Sequence, residues 1–231
     1  MFRQFNGGDP IVTYLRKIRL ENVDIDVAVA PVGGVVHRYE QSGQSATCIT
    51  SCSVQGGIIK NASTGTGGVV GYMALGTITP QGRIQWCFNT ADIEGVNRVG
   101  GVVGAFVGTR SSGQVLDCYN TGTVRGNNFV GGVVGAQASN TSGISNVTQS
   151  SVTRCYSSGD VEGVSYVGGV LGGKEQSSNN VRFTVSDCFG LMSSIKRASG
   201  TDTTFGRIVG SLPTNTTCTN VYALDSMVFI P

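Results

Sequence analysis

Cys118-Tyr119-Asn120-Thr121-Gly122-Thr123-Val124-Arg125-Gly126, followed by Phe129-Val130-Gly131-Gly132-Val133-Val134-Gly135, decides the fold, because it is written again. The second copy reads Cys155-Tyr156-Ser157-Ser158-Gly159-Asp160-Val161-Glu162-Gly163, then Tyr166-Val167-Gly168-Gly169-Val170-Leu171-Gly172, with the same spacing residue for residue. Working outward, Gly-Gly pairs fall at Gly33-Gly34, Gly67-Gly68, Gly100-Gly101, Gly131-Gly132 and Gly168-Gly169, at intervals of 34, 33, 31 and 37 residues. A degenerate sixth copy follows at Phe205-Gly206-Arg207-Ile208-Val209-Gly210. A fixed period in this range marks stacked units, none of which can bury its own apolar face.

Within a copy, three short apolar runs alternate with glycine and small polar residues: Val115–Tyr119, Thr123–Arg125 and Phe129–Val134. Short runs of β-branched and aromatic residues between Gly, Asn and Ser read as strands, and no stretch holds a 3.6-residue period with capping signals. The spacing therefore predicts an all-β chain, a parallel β-solenoid of five to six coils with about three strands each. Successive coils would lie about 4.8 Å apart. Residues 14–213 form the solenoid, 1–13 a lead-in and 214–231 a partial coil or edge. Recurrent glycines fit corners that need positive φ, or backbones too tightly wound for a Cβ. Variable sequence enters after the Gly-Gly phrase, at Tyr72–Gly82, Ala105–Gly113, Ala136–Ser150 and Gly173–Asn180. These insertions should project from one side, where binding would be sought.

The cysteines keep the same beat at Cys52, Cys87, Cys118, Cys155 and Cys188, with Leu20 taking the place in the first copy and Val221 in the last. A position that accepts Cys, Leu or Val is apolar, so a stack of buried free thiols is expected in preference to a disulfide or metal ladder. Cys48 and Cys218 lie off that register, Cys218 in line with Ile84, Val115, Val152 and Val185. One residue on, Phe88, Tyr119, Tyr156, Phe189 and Tyr222 form an aromatic column that alternation turns outward. It could stack on sugar rings or a protein, although self-stacking is the simpler expectation.

Composition removes several classes of function. Of 231 residues 35 are Gly, only 13% are charged, and the net charge is +2. Without a basic run, nucleic-acid binding is disfavoured. There is no apolar stretch of about eighteen residues to span a membrane, and residues 1–10 lack a signal-peptide core. The first copy starts abruptly near Tyr14. This suggests a piece of a longer protein, or ends covered by another copy of the chain.

His37 is the only histidine, standing where other copies have Gly71, Gly104, Gly135 and Gly172, and a surface location is expected for it. Triads other than one built on His37, multi-histidine metal sites and phosphate loops are absent from the sequence. The sequence assigns no catalytic, cofactor or metal residue. Carboxylates form the one alternative: Asp24, Asp26, Asp92, Glu94, Asp160 and Glu162, with Asp92-Ile93-Glu94 and Asp160-Val161-Glu162 in one register. Each pair would point to one face about 6–7 Å apart, a distance open to acid–base work on glycosides. Arg125, between them in the stack, favours a salt-bridge ladder instead. Glycosylation sequons begin at Asn61, Asn140, Asn146 and Asn215.

The phrase Val-Gly-Gly-Val-Val-Gly after Cys-Tyr-Asn-Thr-Gly-x-Val-x-Gly resembles the GLUG repeat family, with its core at Gly101-Val102-Val103-Gly104, Gly132-Val133-Val134-Gly135 and Gly169-Val170-Leu171-Gly172. Ile18–Ile25 looks like the first coil of such an array. The resemblance spans about residues 14–210 and implies a bacterial surface or secreted module, extracellular, structural or adhesive, with a glycan or a host or cell-surface protein as partner. The same repeats accompany an immunoglobulin-cleaving metallopeptidase, whose zinc motif has no counterpart here. Two other expectations stand beside it: a filament subunit stacking through open solenoid ends, and a carbohydrate-active β-helix enzyme.

Overall fold

The computed structural model describes residues 2–7, 13–41, 47–75, 82–108, 113–138, 148–175, 181–212 and 215–231. Every strand pairing in it is parallel, and each pairs with the equivalent segment one repeat away. Gly113–Leu116 pairs with Gly82–Gln85 and Thr148–Thr153, and Asn128–Gly131 with Asn97–Gly100 and Ser165–Gly168. The result is the expected parallel β-solenoid. Five full coils are followed by a sixth whose last face is reduced to a bridge between Leu171 and Val209. A half-turn, Thr216–Ala223 and Val228–Ile230, lies on the sixth coil, and Phe2–Gly7 lies before the first.

A coil has three faces. The first is the broad sheet holding the cysteine and Val-x-Glu/Arg runs. The second carries Asn97–Gly100 and its equivalents, and the third Val103–Gly108 and its equivalents. Valine and isoleucine columns fill the interior. Ile49, Ile84, Val115, Val152 and Val185 form one column, and Ile59, Ile93, Val124, Val161 and Ile195 another; all are fully buried. Burying each such side chain contributes roughly 1.5–3 kcal/mol, and stacking like on like fills the space without voids.

Two details differ from the sequence reading. The cysteine run is bent, because the residue before each cysteine sits in the left-handed region: Ser51 (φ 54), Trp86 (φ 54), Asp117 (φ 53), Arg154 (φ 52) and Asp187 (φ 54); the bend splits the run into two strands in the second to fifth coils, while Val181–Gly190 stays continuous. The Gly-Gly glycines, in contrast, are absent from the positive-φ residues. They are required by close approach. A Cβ on Gly100 would lie 2.0 Å from the Val103 carbonyl oxygen, and one on Gly132 would lie 2.1 Å from that of Gly169. The corner thus turns against itself and against the next coil, where only hydrogen fits.

Register corrects the first copy as well. Arg19 pairs with Ser53, so Ile18, not Leu20, continues the cysteine column; Leu20 lies over Val54. The first coil lacks the Cys-aromatic-Asn signature, so only backbone pairing reveals its phase. His37 is buried, not on the surface. Its register partner is Gly71, whose own Cβ would strike the carbonyl of Val32 in the coil before. Its strand, Val36–Gln41, is flanked by Phe2–Gly7 on one side and Val70–Leu75 on the other.

Candidate functional site

The chemistry-bearing side chains of the first face stand in columns along the solenoid axis, because identical register repeats each outward position one strand spacing further on. Arg125 stands between Glu94 and Glu162, at 3.8 and 3.7 Å; Lys60 closes one end on Glu94 (3.5 Å) and Lys196 the other on Glu162 (3.1 Å). This is the salt-bridge ladder the charge pattern predicts. Its members are a quarter to a half exposed, so each pair contributes about 0–1 kcal/mol and the ladder chiefly fixes register. A shallow open groove of about 350 Å³ runs beside it, lined by Glu94, Arg125, Glu162 and the corner glycines.

The aspartates of the two Asp-x-Glu pairs do different work. Asp92 accepts the Thr123 amide at 2.9 Å, and Asp160 accepts the Ser193 hydroxyl and the Ser194 amide at 2.9 and 3.0 Å. Each is tied to the following coil. Asp24 and Asp26 are exposed on the first coil, Asp26 in register with Lys60.

The five ladder cysteines are buried and free. The sulfur also serves as a hydrogen-bonding group. The left-handed bend turns each cysteine amide inward, and the Cys52, Cys87 and Cys118 amides meet the sulfur of the next coil's cysteine at 3.5, 3.4 and 3.4 Å. Each thiol lies in turn near the carbonyl two residues before it, 3.1 Å for Cys118 to Leu116. An aliphatic side chain would leave these groups bare. Burial pushes the Cys118 thiol up from its ordinary pKa, which keeps it protonated and inert. Native protein should therefore expose at most Cys48 and Cys218, both half-buried, to a thiol reagent such as 5,5′-dithiobis(2-nitrobenzoate), and all seven cysteines in guanidinium. Fast labelling of more than two in buffer would refute the ladder.

Beside the thiols runs a fully buried column that sequence reasoning passed over: Asn89, Asn120 and Ser157. Asn89 Nδ2 donates to Asn120 Oδ1 (2.8 Å), and Asn120 Nδ2 donates to the Gly122 carbonyl (2.7 Å) and Ser157 Oγ (3.4 Å). The Asn of the Cys-Tyr-Asn-Thr-Gly phrase was its signal.

Outward, Phe88, Tyr119 and Tyr156 stack at 4.7 and 4.9 Å with planes 3° apart, so both faces of Tyr119 are covered by protein. A sugar ring needs a free aromatic face, and Tyr119 offers only its edge. Phe129 and Tyr166 stack likewise at another corner, 4.5 Å apart, where Arg98 pairs with Glu175. The residue before each cysteine makes the third outward column: Lys17, Ser51, Trp86, Asp117, Arg154, Asp187 and Asn220. Arg154 clamps Asp117 through Nε (2.6 Å) and Nη2 (2.9 Å), and Gln85 Nε2 reaches the same carboxylate at 3.0 Å. These contacts, the Arg154 hydrogen bond foremost, hold Asp117 below the usual carboxylate range.

The middle of each of the first three insertions (76–81, 109–112 and 139–147) and the end of the last (176–180) lie outside the described residues, so the loops read as the binding side are not placed; their opening residues continue strands Val70–Leu75, Val103–Gly108, Val134–Ala138 and Leu171–Lys174. Of the sequons, Asn140 and Asn146 also lie outside. Asn61 is buried, its amide bonded to Thr66 and Ser63, and Asn215 is exposed. Among the described residues no group of three or more His, Cys, Asp or Glu is placed to hold a metal ion, and no helix is long and apolar enough to cross a membrane.

One solved structure carries the same architecture. A crystal structure of a Bacteroides ovatus protein described as a "putative immunoglobulin A1 protease" matches with a TM-score of 0.62 at 21% identity, covering 97% of this chain. The likeness is one of fold. The chain spans 61% of that protein's length. No protein-family model and no curated protein matches the chain, so the GLUG resemblance rests on its motif residues.

Proposed function

We propose that this chain is a non-catalytic, surface-displayed structural or adhesive repeat module. The observation that carries the reading is the first face itself, where successive coils present side chains in fixed columns along one flat sheet. Such a surface suits an extended partner, a glycan chain or a host or cell-surface protein, better than a small substrate held in a closed pocket. The GLUG resemblance supports extracellular display. The peptidase description of the B. ovatus protein is not extended to this chain, whose sequence lacks a His-Glu-x-x-His motif. The carboxylate alternative is weakened by use: Asp92 and Asp160 tie coils together, and Glu94 and Glu162 flank one arginine. A binding screen of the purified chain against glycans and host surface proteins tests the reading. Saturable binding without polysaccharide turnover is expected, and binding should persist in an Asp160→Asn, Glu162→Gln double variant; an empty screen refutes adhesion.

End-to-end self-association is a second reading, favoured by the terminal coils. Leu20, Val23, Ile25 and Val27 face inward yet are only partly covered, while Val54 and Ile59 one coil on are fully buried. An apparent mass by light scattering that rises with concentration would support it, and a monomer mass at every concentration would sink it.

A further inference from the structure

Trp86 is the only tryptophan of the chain, and most of it stands outside the fold. It is 59% exposed, and among the described residues no ring or cation stacks on it. Its backbone sits at φ 54, a region asparagine and aspartate tolerate and bulky side chains avoid. Ser51, Asp117, Asp187 and Asn220 fill the same position in other coils, as do the long Lys17 and Arg154, but no other aromatic residue does. The indole here sits on a left-handed backbone with, among the described residues, no ring or cation stacked on it. Its neighbours along the axis are Ser51 on one side and Asp117 on the other, since Gln85 pairs with Thr50 and with Leu116. The serine is small and exposed, leaving the indole face on that side uncrowded. Hydrogen-bonding groups lie along the column: the Ser51 hydroxyl, the Gln85 amide, and the Asp117 carboxylate clamped by Arg154.

We propose that Trp86 is the stacking platform of a carbohydrate subsite on this face, taking one pyranose ring of a neutral oligosaccharide against the indole while the sugar hydroxyls reach Ser51, Gln85 and the Asp117–Arg154 pair. This deepens the adhesive reading and rests on it. A lone apolar ring in a polar field matches the apolar face and hydroxyl rim of a sugar. A stable protein interface would need a buried apolar cluster and on the order of 1,200–2,000 Å². Neutral sugars are favoured over acidic ones because the nearby guanidinium is already neutralised by Asp117. The flat setting suits an extended chain whose further rings run along the column.

The test uses the full chain and an array of neutral gluco-, galacto- and N-acetylglucosamine oligosaccharides, with intrinsic fluorescence as a direct readout, because the single tryptophan is the proposed contact. Wild type should bind, with a shift and change in Trp86 emission. Trp86→Asn should bind at least tenfold more weakly while melting at or above the wild-type temperature, which separates lost contact from lost fold. Trp86→Tyr should retain part of the affinity. Glycan binding that survives Trp86→Asn overturns the subsite and leaves the adhesive module standing. Wild type that binds no sugar on the array overturns the subsite too, and if host proteins also fail to bind, the adhesive reading falls with it.

Discussion

Gly132→Val is expected to abolish cooperative folding of the solenoid, or to lower its stability by more than about 4 kcal/mol, near the upper limit of single-site effects. The Cβ would stand 2.1 Å from the Gly169 carbonyl oxygen and 2.5 Å from Ser157 Oγ. Both belong to the next coil, and the carbonyl is backbone held between the Gly168 carbonyl, which accepts the Gly132 amide, and the Val170 carbonyl, which accepts those of Val133 and Val134, so neither can yield without opening the stack. The collision recurs up the column: Gly68 against the Gly101 carbonyl at 2.2 Å, and Gly101 against that of Gly132 at 2.2 Å. Domains have only about 5–15 kcal/mol to lose, and a coil cannot slip by one repeat without carrying its neighbours. Gly173→Ala is the control. Its Cβ would meet Phe129 Cδ1 at an ordinary 3.5 Å, and it should stay within about 1 kcal/mol of wild type. Denaturant unfolding followed by circular dichroism checks both. Equal stability of the two variants would show that close approach is not what the glycine serves.

What could be read from the sequence was whatever repeats by residue type. The Gly-Gly beat gave the coil, the cysteine beat gave an apolar column, and Glu94, Arg125 and Glu162 gave the ionic ladder, since charges of alternating sign at one register can only face each other in a parallel stack. The left-handed column stayed hidden because Lys17, Ser51, Trp86, Asp117, Arg154, Asp187 and Asn220 share a backbone conformation and no chemistry. Aspartate or asparagine before the cysteine position in three copies was the faint signal. The first coil was misphased for the opposite reason: Leu20 resembled a core residue at the expected distance, while pairing set Ile18 there instead. His37 was misjudged because its strand is paired on both sides, with Phe2–Gly7 and Val70–Leu75, which no local pattern reports. The buried amide column was in plain view within Cys-Tyr-Asn-Thr-Gly, but asparagine before Thr-Gly reads equally well as a turn residue.

That column gives the second large effect. Asn120→Asp should cost about 3–5 kcal/mol at pH 7, and the loss should shrink as the solution is acidified. Asn120 is fully buried and uses both ends of its amide: the oxygen accepts from Asn89, and the nitrogen donates to the Gly122 carbonyl at 2.7 Å. An ionised aspartate keeps the first contact but turns an oxygen toward that carbonyl, leaving a desolvated charge against an acceptor. Protonation restores a donor in nearly the amide's place. Burial and the facing carbonyl both oppose ionisation, so the carboxyl's folded-state pKa must lie above its unfolded value of about 3.9. A group with a raised folded pKa favours the folded state at low pH. The variant should therefore be least stable above that folded pKa, and should regain stability as pH falls through it toward about 4. Wild type, with a neutral amide, has no such term at this position. Melting curves of both proteins at pH 7 and pH 5 decide it: a gap that narrows on acidification supports the amide ladder, and a gap that is constant or widens would mean that Asn120 is not the donor to Gly122.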